Sequence, residues 1–338
     1  MKLTDLDFTY PDELIATEPQ RPSRVMLVQG EQPQEITLSD LLASFDAGDV
    51  LVINDTLVLK RRVFVGDLEV LFLKSQNQKV WEVLFPSRKF KVGDTFEMPL
   101  GVKMTLVAKG RPQLVETSEA LSEDYFSKVG ELPLPPYIQK AREARHNVDQ
   151  DQSWYQTAWA QKAGSFAAPT ASLHFSQEDL NQLRERGVDV CQVTLHVGLG
   201  TFLPVTAEDL DEHDMHSEFA EVSLETWQRV QAAKAGGKKV WALGTTAVRS
   251  LESVGHKILP WNEGTQSFCG ETKLLIQPGY QWQVVDVLMT NFHQPQTTLL
   301  ALVSAFAGLE NVQRCYQWAI ERKFKLFSYG DLSVWRKS

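Results

Sequence analysis

The apolar pattern changes texture twice along the chain. Near the start, residues 50–53 are four consecutive apolar positions closed by Asn54-Asp55. An unbroken run of that length, ended by turn formers, reads as a strand covered on both faces. From Arg61 to about Pro136, short β-rich runs alternate with turns such as Gly66-Asp67 and Gly93-Asp94. That is the spacing of an all-β barrel or sandwich, and no helical period persists there. The proline-rich stretch 131–138 reads as an exit linker.

Beyond residue 150, helix and strand signals alternate. Ser176 and Asp179 form a capping box for a helix closed at Gly187. Residues 188–198 read as a buried strand, and Thr206 as the cap of a further short helix. An amphipathic helix spans 223–237 and ends in glycines. Residues 238–254 read as a strand, a Gly244 turn and a helix entered through Thr245 and Thr246. Strands follow at 272–280 and 283–292, then helices at 297–308 and 311–324. The expected fold is α/β: a discontinuous α/β catalytic domain, residues 1–60 and 150–338, with an inserted all-β barrel-like domain at 61–149.

Polar residues gather where buried strands end. Four loops share one grammar, a strand followed by a short Gly/Thr/Asn/His cluster. They are Asn54-Asp55-Thr56; His196 through Gly198, Gly200 and Thr201; Gly244-Thr245-Thr246 with Arg249; and Thr290-Asn291-Phe292-His293. If the strands are parallel, all four emerge at one sheet edge, where α/β proteins bind ligands. A fifth cluster, residues 164–176, is rich in small residues and carries Thr170 and His174. Each loop taken alone also has a structural reading as a turn or helix cap. Repetition at equivalent points favours a shared site.

Composition narrows the partners. The formal net charge is −9, which argues against non-specific binding to a nucleic-acid backbone. Three local basic concentrations remain, at Lys60 to Arg62, Arg88 to Lys91 and Lys140 to Arg145. Three widely spaced cysteines form neither a disulfide framework nor a zinc pattern. His213 and His216 have no further ligand pattern nearby, so no metal is expected. There is no Gly-x-Ser-x-Gly elbow and no phosphate-binding Walker loop. No signal-type segment opens the chain and no apolar run approaches the ~20 residues of a membrane span. A cytoplasmic protein, and a monomer, is the expectation.

The longer motifs carry a resemblance. "VLVINDT", "LPLPPYI", "GSFAAPTASLHF", "VTLHVGLGTFLPV", "ALGTTAVRSLES", "VDVLMTNFHQP" and "FSYGD" occur in this order nearly end to end. Together they resemble the S-adenosylmethionine:tRNA ribosyltransferase-isomerase family of queuosine biosynthesis. The resemblance implies transfer of the ribosyl part of S-adenosylmethionine to 7-aminomethyl-7-deazaguanine at the wobble position of a tRNA with a GUN-type anticodon. Adenine and methionine would leave and epoxyqueuosine would remain. S-adenosylmethionine would be a consumed substrate, and no cofactor is implied. His174, His196, His293 and Asp55 are the catalytic candidates. Asn54, Thr56, Arg62, Thr170, Gly198, Gly200, Thr201, Thr245, Thr246, Arg249, Thr290 and Asn291 are the substrate-binding candidates. The basic clusters would contact tRNA phosphates, and the insertion would help hold the anticodon arm. Leu57, Lys60, Ser172, Gln294 and Gln296 depart from the family's usual residues. Two alternatives remain for a divergent relative: a lyase without an RNA acceptor, or a non-catalytic RNA-binding module.

Overall fold

A computed structural model describes residues 1–198, 200 and 205–337. The chain divides into two compact units. The first comprises Met1–Leu57, Pro135–Ala144 and Ser153–Ser338, and the second Val58–Leu134 and Arg145–Gln152.

The first unit is mixed α/β and built on a ten-stranded sheet. Four strands at its centre are parallel: Asp189–Leu195, Val50–Asn54, Val240–Leu243 and Val287–Asn291, in that order across the sheet. On one side Glu218–Ser223, Ser267–Thr272 and Trp261–Asn262 add antiparallel strands. On the other side Leu332–Arg336 runs antiparallel to Val287–Asn291, and Val25–Gln29 and Gln32–Ile36 complete the sheet.

The unbroken apolar run at Val50 is explained by cover on both faces. Val50 and Val52 belong to one hydrophobic cluster, with Val248, Leu251 and Leu288. Leu51 and Ile53 belong to another, with Phe45, Trp241 and Met289. A strand buried on both sides has no polar face to alternate with.

Helix signals in the sequence were accurate where caps were present. Ser176 and Asp179 cap Gln177–Glu185 reciprocally, and Gly187 follows at φ +83°. Ser223 caps Leu224–Ala235 and Thr297 caps Thr298–Ala307. Other expectations are corrected. Residues 273–277 form no strand: Ser267–Thr272 ends before them. Thr206 caps nothing; Asp209 accepts from Asp211 N at 3.0 Å and caps the short turn Leu210–Glu212. The proline-rich stretch is not merely a linker. Pro136 sets the first turn of helix Pro136–Arg142, whose Ile138 is buried and whose Arg142 Nε donates to Thr17 O at 2.9 Å.

The second unit holds a six-stranded antiparallel sheet. It is not all-β. Helix Glu123–Val129 packs Tyr125 and Phe126 into its core, with Phe126 edge-on to Phe72 and Trp81. The helix is only seven residues long, too short for a helical period to stand out among β-type runs.

Candidate active site at the edge of the parallel strands

The register brings four strand ends side by side. Val193 pairs with Asn54, and Leu243 pairs with Met289. The loops after Leu195, Asn54, Leu243 and Asn291 therefore leave the sheet at the same edge, as the repeated polar clusters implied.

Asn54 is a staple between two of these loops. Its Nδ2 donates to Leu195 O at 3.0 Å, and its Oδ1 accepts from Leu195 N and Thr56 N, both at 3.1 Å. The side chain is fully engaged by backbone. Asp55 is buried and accepts from Thr194 Oγ1 at 2.7 Å. Burial raises its carboxyl above the ordinary range, and the Thr194 bond and the Lys162 charge only partly oppose that. Lys162 pairs with Glu221 at 2.6 Å beside them.

Thr56 Oγ1 lies 2.8 Å from His196 Nδ1 and fixes the ring. Phe219 stacks at 5.8 Å between ring centroids. The other ring nitrogen, Nε2, makes no hydrogen bond among the described residues. It lies directly under Gly164, where a Cβ would come within 2.7 Å of it. Burial lowers the His196 pKa, while the Asp55 charge pulls it back up.

His174 is held differently, with both nitrogens engaged. Nε2 lies 3.1 Å from Asn291 Nδ2 and Nδ1 lies 2.6 Å from Ser23 Oγ. Burial, with Arg21 nearby, pushes its pKa down to about 3. His293 Nε2 lies 2.8 Å from Thr290 Oγ1, and its backbone N donates to Tyr316 OH at 3.0 Å. Burial lowers its pKa to about 4. Burial thus disfavours the charged form of both rings.

Helix Thr245–Gly255 starts at Gly244, φ +91°, with no side-chain cap. Gly244 N donates to Met289 O at 2.7 Å, tying this loop to the next strand. A Cβ at Gly244 would meet Ala171, so the turn Thr170–His174 lies against this helix start. One turn along the helix, buried Arg249 pairs with Glu218 through Nη1 and donates from Nε to Leu274 O at 3.2 Å. Glu218 also accepts from Gly198 N at 2.8 Å, which locks the loop after His196. Gly200 lies close against His216. Thr201 lies outside the described residues.

Four buried polar atoms in these segments have no partner among the described residues: Ser172 Oγ, Thr246 Oγ1, Arg249 Nη2 and Asn291 Oδ1. An unsatisfied buried group costs about 1–3 kcal/mol, and such groups in native proteins call for a specific explanation. At a sheet edge of this kind a ligand can supply such partners.

Arg62 is held within the second unit, 1 % exposed, paired with Glu131 at 2.8 Å and bonded to Asn147. Arg61 beside it is also buried, stacked on Phe126 and paired with Glu123. The expectation that this basic run is a phosphate-binding surface is thereby corrected for both arginines. Their charge is neutralised inside the unit, whereas Arg88, Lys89 and Lys91 are exposed.

Sequence reasoning missed Glu218, Ser23, Thr194 and Lys162, and had Gly164 only as the start of the small-residue cluster. Glu218 had a legible signal. It occupies the buried phase of the alternating strand Glu218–Ser223, with Ala220 and Val222, and a charge in that phase needs a partner. Ser23 had none, because its contact with His174 spans 151 residues.

Comparison with known proteins agrees with this architecture. The family profile described as "Queuosine biosynthesis protein" matches residues 3–334. The chain belongs to that family. A relative from Jannaschia sp. (strain CCS1), named S-adenosylmethionine:tRNA ribosyltransferase-isomerase, is 40 % identical, covering 99 % of this chain and 97 % of its own. Relatives of the same name from Clostridium kluyveri and Ruegeria sp. (strain TM1040) are each 39 % identical, covering 98 % and 99 % of this chain and the same shares of their own. The crystal structure of S-adenosylmethionine tRNA ribosyltransferase from Thermotoga maritima superposes with a TM-score of 0.55 at 26 % identity, covering 98 % of this chain and 99 % of that one.

Proposed function

We propose that this chain is an S-adenosylmethionine:tRNA ribosyltransferase-isomerase. It transfers the ribosyl moiety of S-adenosylmethionine to the aminomethyl group of 7-aminomethyl-7-deazaguanine at the wobble position of a GUN-type tRNA. The sugar is isomerised to an epoxycyclopentanediol, and adenine and methionine leave. The observation that carries this reading is the set of unpartnered buried atoms on Ser172, Thr246, Arg249 and Asn291, gathered at one sheet edge in a chain of this family.

The sulfonium acidifies the hydrogens on the ribose carbon bonded to it, and a positioned base removes one. His196 fits that role best among the three histidines. Its Nδ1 is anchored by Thr56, and its Nε2 has no hydrogen-bond partner among the described residues. His174 and His293, held neutral by burial, orient Asn291 and Thr290. Asp55, whose carboxyl burial raises above the ordinary range, is a second candidate to exchange a proton with the same site. Arg249 Nη2, without a partner among the described residues, offers its N–H donors to the methionine carboxylate. Nη1 already pairs with Glu218 and Nε with Leu274 O, which fixes the plane of the guanidinium. Thr245 and Thr246 offer an uncapped helix N-terminus to ribose oxygens. Specificity for RNA would come from an extruded wobble base read in the pocket, which a net charge of −9 does not oppose.

The test is adenine release from S-adenosylmethionine, followed with and without tRNA bearing the aminomethyl deazaguanine. Release that depends on the modified tRNA is the expected result. Release without any tRNA would replace this reading with a lyase, and no release under either condition would refute it.

A further inference from the structure

The two central strands Val240–Leu243 and Val287–Asn291 run from a second feature to the site loops. At their amino-terminal ends, roughly 15 Å from the loops for strands of this length, the surface holds a depression of about 420 Å³. Five cations line it, Lys234, Lys238, Lys239, Arg336 and Lys337, against one carboxylate, Asp286. That carboxylate is already engaged: it lies 3.4 Å from Lys234 Nζ and accepts from Val240 N at 2.9 Å. Lys239 is paired with Asp46 at 3.3 Å.

The other three cations are less satisfied. Lys238 and Lys337 are exposed and make no ion pair among the described residues. Lys337 Nζ lies 5.1 Å above the Trp282 ring and 5.4 Å above Phe306. The Arg336 guanidinium is steered by Ser44 Oγ at 2.8 Å and by the Trp241 face at 5.1 Å. Its Nε is buried with no partner among the described residues. Gly237, φ +68°, has open space where a side chain would stand, so a ligand can approach the backbone closely.

We propose that this depression is a second ligand site, for a phosphate group, held by Lys238, Arg336 and Lys337. A phosphate presents several oxygens to donors converging from different sides, which suits two lysine point charges and one oriented guanidinium. The site shares no residue with the sheet edge that carries His196. The phosphate could belong to a free phosphorylated molecule or to an RNA backbone, and the experiment separates the two.

The double variant Lys238→Ala/Lys337→Ala changes only exposed side chains, so folding is retained. Inorganic phosphate binding is measured by titration calorimetry. Binding of unmodified tRNA is measured over a salt series, each for wild type and variant. At least a tenfold loss of phosphate affinity with tRNA binding unchanged supports a free phosphorylated ligand. A drop in tRNA affinity, with the log–log salt slope reduced by about two, supports an RNA phosphate. Equal binding of both probes by wild type and variant would overturn the proposal.

Discussion

Asn291 Nδ2 donates to His174 Nε2 at 3.1 Å and to Phe327 O at 2.9 Å. The backbone carbonyl fixes which end of the amide faces the ring, so Nε2 is the acceptor. The His174 proton therefore sits on Nδ1 and donates to Ser23 Oγ, which donates to Gln20 O at 3.1 Å. This chain ties the first segment of the protein to the end of a central strand, and every link needs a neutral imidazole.

A pH dependence of stability follows. The native His174 pKa is about 3, against 6.5 for an unperturbed ring. Between those values the unfolded chain binds a proton that the native chain does not, so stability rises with pH across that window and is lost as pH falls through it. His174→Gln should flatten the dependence of unfolding free energy on pH by up to about 1.4 kcal/mol per pH unit. Urea denaturation between pH 4 and 6.5 checks this. An unchanged slope would show that the ring charges freely in the native state.

Gly164 sets the access to His196. A Cβ there would come within 2.7 Å of the ring, so Gly164→Ala must displace the imidazole from its Thr56 anchor. Adenine release should fall sharply, and the overpacking should cost about 1–3 kcal/mol of stability. His196→Gln should lose roughly 10²–10⁴-fold in rate, the range for a lost acid–base group. A Gly164→Ala enzyme of full activity would remove the positioned ring from the mechanism.

The central sheet and the site loops were legible because the sequence marks them locally. Fully apolar strand segments ended by Asn54-Asp55 and Thr290-Asn291, and caps such as Ser176 and Thr297, act within a few residues. What decides the roles within the site is not local. Thr56 fixes His196 across 140 residues, and Asn291 fixes His174 across 117. Three histidines that look equivalent in sequence become one ring held at both nitrogens, His174, and two held at one, His196 and His293, only when those partners are in place. The burial of Arg61 and Arg62 was hidden for the same reason, since Glu131 lies 69 residues from Arg62.

Arg249 and Glu218 are both buried, and each has few alternatives to the other. Removing one partner leaves an uncompensated charge, which costs about 3–5 kcal/mol. Glu218→Gln and Arg249→Met should each destabilise the protein by several kcal/mol, and the double variant by much less than the sum. Arg249→Met alone should also raise KM for S-adenosylmethionine, because Nη2 is the donor left for the methionine carboxylate. A double-mutant cycle from denaturant unfolding measures the coupling. A coupling near zero would mean that the charges are solvated independently.

Asp55 is where stability and activity should pull apart. Burial raises its native pKa above the unperturbed 3.8. For an acid shifted in that direction, the favourable contribution is present below the unfolded pKa and is lost as pH rises through the native value. At neutral pH the native protein therefore carries the cost of a buried carboxylate. Asn at this position keeps an acceptor for Thr194 Oγ1 and removes the charge. Asp55→Asn should be as stable as wild type or more stable at pH 7, and no more stable at pH 3. Its rate of adenine release should fall by roughly 10²-fold if the carboxylate exchanges protons with the site. Unfolding measured at the two pH values, alongside turnover, separates the effects. A variant that is less stable at pH 7 yet fully active would show that Asp55 is held for structure alone.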